Sequence, residues 1–172
     1  MAKNSATEKQ PVLLGIDDSE YSTYALEWTL DHLLVPSNNS PNFKLVLVYA
    51  KPTVGSTVGF IGPGATDVMP IVEADMKRTA VRVIEQAKEL CKKKQVTDIE
   101  VEIVEGDARN VLCEAVEKHH ASILIVGSHG YGAIKRAVLG SVSDYCAHHA
   151  HCTVMIVKKP KPSKHSFQHQ GK

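Results

Sequence analysis

The sequence has neither a long apolar run nor a strong net charge, and each absence removes a class of function. No apolar run approaches the roughly 18 consecutive residues of a membrane-spanning helix. The formal net charge is +1, which gives no overall electrostatic reason to bind nucleic acid or a membrane surface. Residues 1–10 are polar and lack the apolar core of a signal peptide. We therefore expect a cytoplasmic protein, with the nucleus as the alternative, that has no membrane and no nucleic-acid partner.

Cysteine is scarce as well, and none of the four cysteines forms a CxxC pair. Their wide spacing favours free thiols in a reducing compartment over a disulfide framework. Near the C-terminal end, histidines and cysteines crowd together in a composition that suggests zinc: Cys146, His148, His149, His151 and Cys152. Histidines at the end of a helix also interact favourably with the helix dipole. We favour that second interpretation and predict no metal site.

Five short apolar or alternating runs are separated by helical patterns. The runs are 12–16, 45–49, 99–103, 123–126 and 153–157. Apolar residues at helical spacing fill the intervals at about 19–34, 71–94, 107–116 and 141–149. This alternation predicts a single α/β domain with a doubly wound parallel sheet and helices on both faces.

The domain is expected to occupy residues 11–159, since little else in the chain can be buried. Residues 1–10 are predicted to be a disordered lead and 160–172 a disordered basic tail. Segment 51–70 is rich in glycine and proline without a steady period, so it is predicted to be a long mobile loop.

Two strands have the features of a sheet edge. In 99–103, isoleucine and valine alternate with Glu100 and Glu102, which is the period of a strand with one solvated face. The last strand, 153–157, is apolar throughout, and an exposed apolar edge invites pairing with another chain. We therefore predict a homodimer formed through strand 153–157.

The segment with the clearest chemical character follows the fourth strand. Gly127, Gly130 and Gly132 come directly after 123–126, and a Gly-Ser-Val-Ser run at 140–143 opens the next helix. Glycine lets the backbone approach a ligand closely and adopt a positive φ angle. A helix N-terminus offers N–H groups without helical partners and the positive end of the helix dipole. Together these features predict an anion site suited to phosphate.

Side chains in the same segment add donors and charge. Ser141 and Ser143 supply hydroxyls, and Lys135 and Arg136 supply positive charge from the intervening loop. Tight turns alone would be an alternative use of the glycines. The segment lacks the GxxxxGK[ST] spacing of a P-loop and the GxGxxG spacing of a dinucleotide fingerprint.

Gly127, Gly130, Gly140 and Ser141 fit the spacing G-x2-G-x9-G-[ST], which resembles the nucleotide signature of the universal stress protein family. The resemblance covers roughly residues 10–158. The length, the long middle loop and the Trp28 helix look like plant single-domain members. The resemblance implies a Rossmann-like, HUP-type sheet of order 3-2-1-4-5, with dimers paired through the last strand.

The same resemblance implies a site for an adenine nucleotide, ATP or AMP, with Mg²⁺ accompanying ATP. In it Asp17 would hold the ribose hydroxyls, Gly15, Ile16 and Ala50 would lie at the adenine, and the glycine-rich segment would hold ribose and phosphates. The residues assigned in this way are Gly15, Ile16, Asp17, Ala50, Gly127, Gly130, Gly140, Ser141, Val142 and Ser143.

Asp17 also has a physical interpretation of its own. A carboxylate accepts two hydrogen bonds from a vicinal diol, as ribose binding requires. The alternative is that Asp17 orients the turn at Ser19, a role that Asp18 is equally placed to fill.

The favoured function is a nucleotide-dependent switch in the stress response, acting on an unknown protein partner. A slow metal-dependent ATPase and a chaperone-like oligomer are the alternatives. Against an enzyme, no residue is evident to position an attacking water, and no acid–base pair stands out, so no catalytic residue is predicted. Adenylation is disfavoured as well. Enzymes of a related fold that adenylate their substrates carry an SGGxDS loop after the first strand, and residues 15–19 lack its pair of glycines. Tyr21, Tyr24 and Trp28 are expected to pack rather than stack on a base.

Overall fold

The computed structural model describes residues 9–34, 43–57, 68–130 and 139–160. In this part of the chain, five strands alternate with helices. The strands are β1 (Gln10–Ile16), β2 (Phe43–Lys51), β3 (Ile99–Glu105), β4 (Ile123–Gly127) and β5 (Thr153–Val157). The helices are α1 (Glu20–His32), the one-turn α2 (Val54–Thr57), α3 (Met69–Lys93), α4 (Ala108–His119) and α5 (Ser141–His149).

All strand pairs are parallel, and the sheet order is β3-β2-β1-β4-β5. The predicted Rossmann-like architecture and strand order are confirmed, and β3 lies at an edge as its alternation indicated. β1 lies at the centre between β2 and β4, so the carboxyl ends of these three strands meet at the point where the strand order reverses. Ligands of open α/β sheets bind at such a point.

Two apolar layers hold the helices against the sheet. One joins α1 and α3 to the face that carries Leu14, Leu47 and Ile125. The other joins α4 and α5 to the face that carries Leu13 and Val48. The alternation of faces along β1 and β2 therefore buries successive residues in opposite layers, which explains why these strands are apolar throughout.

The helix starts follow ordinary capping chemistry. Ser19 caps α1 by accepting a hydrogen bond from the backbone N–H of Ser22, and Asp107 caps α4 by accepting one from Arg109. Before α4, Gly106 has a φ angle of +152°, in the region that favours glycine. Gly106 and Asp107 thus form the turn from β3 into α4.

Some element boundaries differ from the sequence prediction. Segment 51–70 is not wholly a loop, because α2 forms within it and α3 begins at Met69, with Pro70 in its first turn, where proline loses no helical hydrogen bond. β1 begins at Gln10, inside the predicted lead, because Gln10 pairs with Phe43 of β2. Residues 1–8, 58–67 and 161–172 lie outside the described residues. Within the described ranges, no helix combines the length and apolar character needed to cross a membrane.

Candidate functional site

A cleft of about 830 Å³ opens at the carboxyl ends of β1, β2 and β4. Its walls come from the N-terminal half of α3, the start of α4 and the start of α5. All ten residues that the sequence assigned to a ligand line this one cleft, although they come from three distant parts of the chain: Gly15, Ile16, Asp17, Ala50, Gly127, Gly130, Gly140, Ser141, Val142 and Ser143. Their contacts with a ligand remain a prediction.

Asp17 is held by a small network at the end of β1. Its Oδ1 accepts a hydrogen bond of 2.5 Å from the Ser19 hydroxyl, and its backbone N–H donates to the Ser22 hydroxyl at 2.9 Å. Its other carboxylate oxygen, Oδ2, faces Gly130, where an added Cβ would lie only 2.8 Å away. Asp17 therefore orients the Ser19 turn, the alternative role considered above, and also presents a carboxylate to the glycine-rich segment.

The glycine-rich segment is tied to both β5 and α5 by backbone carbonyls and amides. The N–H of Ser128 donates to the carbonyl of Val157 at 3.0 Å, and the N–H of Gly140 donates to the carbonyl of Ser128 at 2.7 Å. The Ser143 hydroxyl lies within 3.2 Å of the Ser128 carbonyl and 2.9 Å of the Gly140 carbonyl. These bonds fix the start of α5 beside the end of β4.

Ser143 corrects one sequence expectation. Its side chain was expected to offer a hydroxyl to phosphate, yet the residue is only 2% exposed and its hydroxyl serves as donor to protein carbonyls. What Ser143 can offer to a ligand in the cleft is its backbone N–H. Ser141, in contrast, is exposed. Lys135 and Arg136, the expected sources of charge, lie outside the described residues.

The start of α5 has the character of an anion site. Gly140 is the N-cap and makes no side-chain cap, and the helical bonds begin with the Asp144 N–H donating to the Gly140 carbonyl at 3.0 Å. The first three N–H groups of a helix have no helical acceptor, and here they belong to Ser141, Val142 and Ser143. All three residues line the cleft, so the positive end of the helix dipole is directed at it.

The glycines of the cleft are explained by close approach, not by positive φ. Among the described glycines, only Gly106 has a positive φ angle. A Cβ on Gly127 would lie 2.8 Å from the backbone carbon and oxygen of Tyr21, so β4 and α1 cross with no room for a side chain. A Cβ on Gly140 would lie 3.1 Å from the Cα of His129. Of the two properties of glycine considered above, the described glycines of this segment therefore use close approach and not a positive φ angle.

Sequence reasoning missed the wall that α3 contributes. Asp75, Met76 and Thr79 line the cleft from the N-terminal half of α3, and Tyr49 lines it from the end of β2. The helical stripe through Met76 was visible in the sequence, but its position over the cleft depends on how α3 packs. The pKa of Tyr49 is raised first by burial and then by the nearby carboxylates of Asp18 and Asp17.

Sequence reasoning also missed an ion pair at the cleft. Arg82 of α3 donates two hydrogen bonds to Asp18, from Nη1 at 2.9 Å and from Nη2 at 2.7 Å. Those hydrogen bonds hold the pKa of Asp18 below its usual value. The two residues are 64 positions apart, so no local pattern marks them as partners.

The histidines near the end of α5 interact with the helix itself. The Nδ1 atoms of His148 and His149 lie 2.8 and 2.9 Å from the carbonyl oxygens of Asp144 and Tyr145. His149 also stacks on Tyr145, with ring centroids 3.9 Å apart. Within the described ranges, no group of three or more His, Cys, Asp or Glu residues is arranged to hold a metal ion. The four cysteines are free thiols, and burial raises the pKa of Cys146 to about 12.

Comparison with known proteins identifies relatives across nearly the whole chain. The model of the universal stress protein family matches residues 9–158. Universal stress protein PHOS32 of Arabidopsis thaliana is 32% identical over 91% of this chain and 67% of its own length. The universal stress protein A-like protein of the same plant is 30% identical over 89% of this chain and 92% of its own. The chain spans 64% of a further Arabidopsis relative, universal stress protein PHOS34.

Solved structures share the fold at lower sequence identity. Universal stress protein UspA from Lactobacillus plantarum superposes with a TM-score of 0.72 at 16% identity, over 87% of this chain and 98% of that one. An Arabidopsis thaliana universal stress protein family protein with AMP bound gives 0.63 at 23% identity, over 90% and 97%. A universal stress protein in complex with cAMP gives 0.57 at 24% identity, over 88% and 98%.

Proposed function

The chain belongs to the universal stress protein family, and from that premise we propose that it binds an adenine nucleotide in the cleft at the ends of β1, β2 and β4. The observation that carries the proposal is the meeting, in one cleft, of a carboxylate at the end of β1 and the N-terminus of α5. The two groups have complementary uses. Asp17 suits the hydroxyls of a ribose, and the α5 amides suit a phosphate.

The shape of the cleft supports a nucleotide as the ligand. A volume of about 830 Å³ falls within the range of roughly 300–1,000 Å³ typical of small-molecule sites. Gly130 and Gly140 leave open the space that a Cβ would fill beside Asp17 and His129. We place the base at the end formed by Gly15, Ile16 and Ala50, because apolar side chains such as Leu112 and Val48 line the cleft there.

Two relatives support adenine as the base. One was solved with AMP bound and another in complex with cAMP, and both share this fold. We propose that the present chain takes AMP or ATP, with Mg²⁺ accompanying ATP. Nucleotide occupancy of the cleft would act as a switch in the stress response by changing how the protein binds an unidentified protein partner. We place this switch in the cytosol or nucleus, where the free thiols of the chain would stay reduced.

We further propose a homodimer through β5, and the two sheet edges support this by their contrast. At the β3 edge, Glu100 pairs with Lys44 at 2.6 Å and Glu105 pairs with Lys51 at 3.1 Å. At the β5 edge, Val154, Met155 and Ile156 are only half-buried. Charged side chains protect an edge strand from pairing, whereas an apolar edge favours it.

The substitution Gly140→Val tests the nucleotide proposal. Gly140 has φ −74° and ψ 156°, angles that valine adopts without backbone strain. Any effect of the substitution therefore comes from the volume of the valine side chain. The added Cβ would lie 3.1 Å from the Cα of His129, so the valine side chain would crowd the start of α5. We expect nucleotide affinity to fall at least about tenfold, or about 1.4 kcal/mol. Calorimetric titration measures it.

Gly55→Val is the matched control, because a Cβ on Gly55 meets nothing within 4 Å. This variant is expected to bind like the wild type. Unchanged affinity in a folded Gly140→Val protein would remove the phosphate site from the start of α5.

A further inference from the structure

Arg82 of α3 does not itself line the cleft, but it binds Asp18, which does. Arg82 lies one helical turn beyond Thr79. Its Nη1 and Nη2 donate hydrogen bonds to Oδ1 and Oδ2 of Asp18, at 2.9 and 2.7 Å. Asp18 itself lines the cleft, directly after Asp17. A guanidinium that contacts both carboxylate oxygens is the strongest geometry for such a pair.

The negative charge of the cleft indicates what the pair of Arg82 and Asp18 does. Of the residues that the structure describes, four with carboxylate side chains line the cleft: Asp17, Asp18, Asp75 and Asp144. A nucleotide phosphate brought among these carboxylates meets repulsion from each of them. Asp18 has a two-point contact with Arg82, whereas the nearest approach of Arg78 to Asp75 is 3.9 Å.

We propose that Arg82 is a selectivity residue of the cleft: by cancelling the charge of Asp18, it lets the cleft accept a phosphate-bearing ligand. The inference rests on the proposed nucleotide binding and adds to it a residue that does not need to touch the ligand. Because the effect is Coulombic, it grows with the number of negative charges on the ligand and weakens as salt is added.

The pKa of Tyr49 indicates that the charges of Asp18 and Arg82 both act on the wall of the cleft. Tyr49 lines the same cleft; burial raises its pKa most, the charges of Asp18 and then Asp17 raise it further, and the charge of Arg82 lowers it. The fields of the two partners therefore extend to the cleft wall with opposite signs. Removing Arg82 leaves the field of Asp18 uncompensated, and removing both partners restores the balance.

The test is calorimetric titration with AMP of four proteins: wild type, Arg82→Gln, the double variant Asp18→Asn with Arg82→Gln, and Lys94→Gln. Lys94, directly after α3, pairs with Asp31 of α1 at 2.5 Å and does not line the cleft, which makes it the matched control. Each titration is run at about 50 mM and about 500 mM salt, which bracket strong and weak screening.

We expect Arg82→Gln to bind AMP about threefold more weakly at low salt, the size of one partly screened charge. That loss should shrink at high salt, the double variant should bind like the wild type, and so should Lys94→Gln. A loss that is equal at both salt concentrations, or that Asp18→Asn does not reverse, would overturn the inference by showing that Arg82 only holds α3 in place.

The two proposals fail in different ways. Wild-type protein that binds AMP while Arg82→Gln binds it equally well contradicts the role of Arg82 and leaves nucleotide binding intact. Wild-type protein that binds no AMP, ADP or ATP contradicts the nucleotide proposal, and the role of Arg82 falls with it.

Discussion

At the scale of single residues, the glycines of the cleft are determined by the atoms that face them. The sequence marked Gly127, Gly130 and Gly140 by their spacing, and it attributed them to ligand contact and to unusual backbone angles. The structure assigns Gly127 to the crossing of β4 over α1, and Gly130 to the space in front of Asp17. Spacing alone could not separate these uses, because the facing atoms belong to Asp17, directly after β1, and to Tyr21 of α1, both far away in the sequence.

Two alanine substitutions separate these uses experimentally. In Gly127→Ala the new Cβ meets the backbone of Tyr21 at 2.8 Å, which cannot move aside cheaply, so we expect a loss of about 1–3 kcal/mol in the free energy of unfolding. In Gly130→Ala the Cβ meets the Asp17 carboxylate, a side-chain group and not backbone, so stability should change less while AMP affinity falls. Urea unfolding and calorimetric titration measure the two effects. The reverse pattern would contradict these assignments.

At the scale of the elements, β3 shows what periodicity reveals and what it leaves open. Its alternation predicted an edge strand with one solvated face, and the edge position is confirmed. The glutamates, however, are bound by basic side chains: Glu102 pairs with Lys118 and with His119 Nε2, the latter at 2.6 Å, both from the end of α4. Ile103, on the opposite face, is 53% exposed. The period of two shows that the β3 side chains alternate between the two faces of the sheet, but the neighbouring helices determine which face is covered.

This contact between β3 and α4 predicts a pH dependence. The hydrogen bonds from Lys118 and then His119 lower the pKa of Glu102 from its ordinary value of 4.5. A carboxylate whose pKa is lowered by folding stabilises the protein above its unfolded pKa, and that stabilisation is lost as the pH falls through the folded pKa. We expect Glu102→Gln to be less stable than wild type near pH 7 and to lose less stability below about pH 4.5.

Thermal or urea unfolding from about pH 7 to about pH 3 measures this difference. Glu114→Gln serves as the control, since Glu114 is an exposed carboxylate on the same helix. Identical pH profiles for Glu102→Gln and wild type would show that the Glu102 contacts contribute nothing to stability.

At the scale of the whole molecule, the alternation of strands and helices was enough to predict a parallel sheet covered on both faces. The strand order came with the family resemblance and is confirmed. The packing of α3 over the cleft could not be predicted, because it depends on contacts between α3 and α1 and on the pairing of Arg82 with Asp18 across 64 positions. Helix α2 was missed because its Val-Gly-Ser-Thr sequence has no helical period.

The proposed homodimer is also a property of the whole molecule. Sedimentation at a protein concentration of about 10 µM should show a dimer for the wild type if the β5 edge pairs with a second copy. Thr153→Lys places a charge at the exposed start of β5 and should shift the protein towards monomer. Thr97→Lys, near the opposite edge, should leave the dimer intact. A monodisperse wild-type monomer would contradict the dimer.

The most direct test of the central claim is titration of nucleotide-free protein with AMP, ADP and ATP, each with and without Mg²⁺. We expect binding with a dissociation constant in the micromolar range, about −8 kcal/mol, and loss of that binding in Gly140→Val. The order of the three affinities would show whether the cleft distinguishes the number of phosphates. If none of the three nucleotides binds to the folded wild-type protein, the cleft is not a nucleotide site, and the proposed switch is wrong.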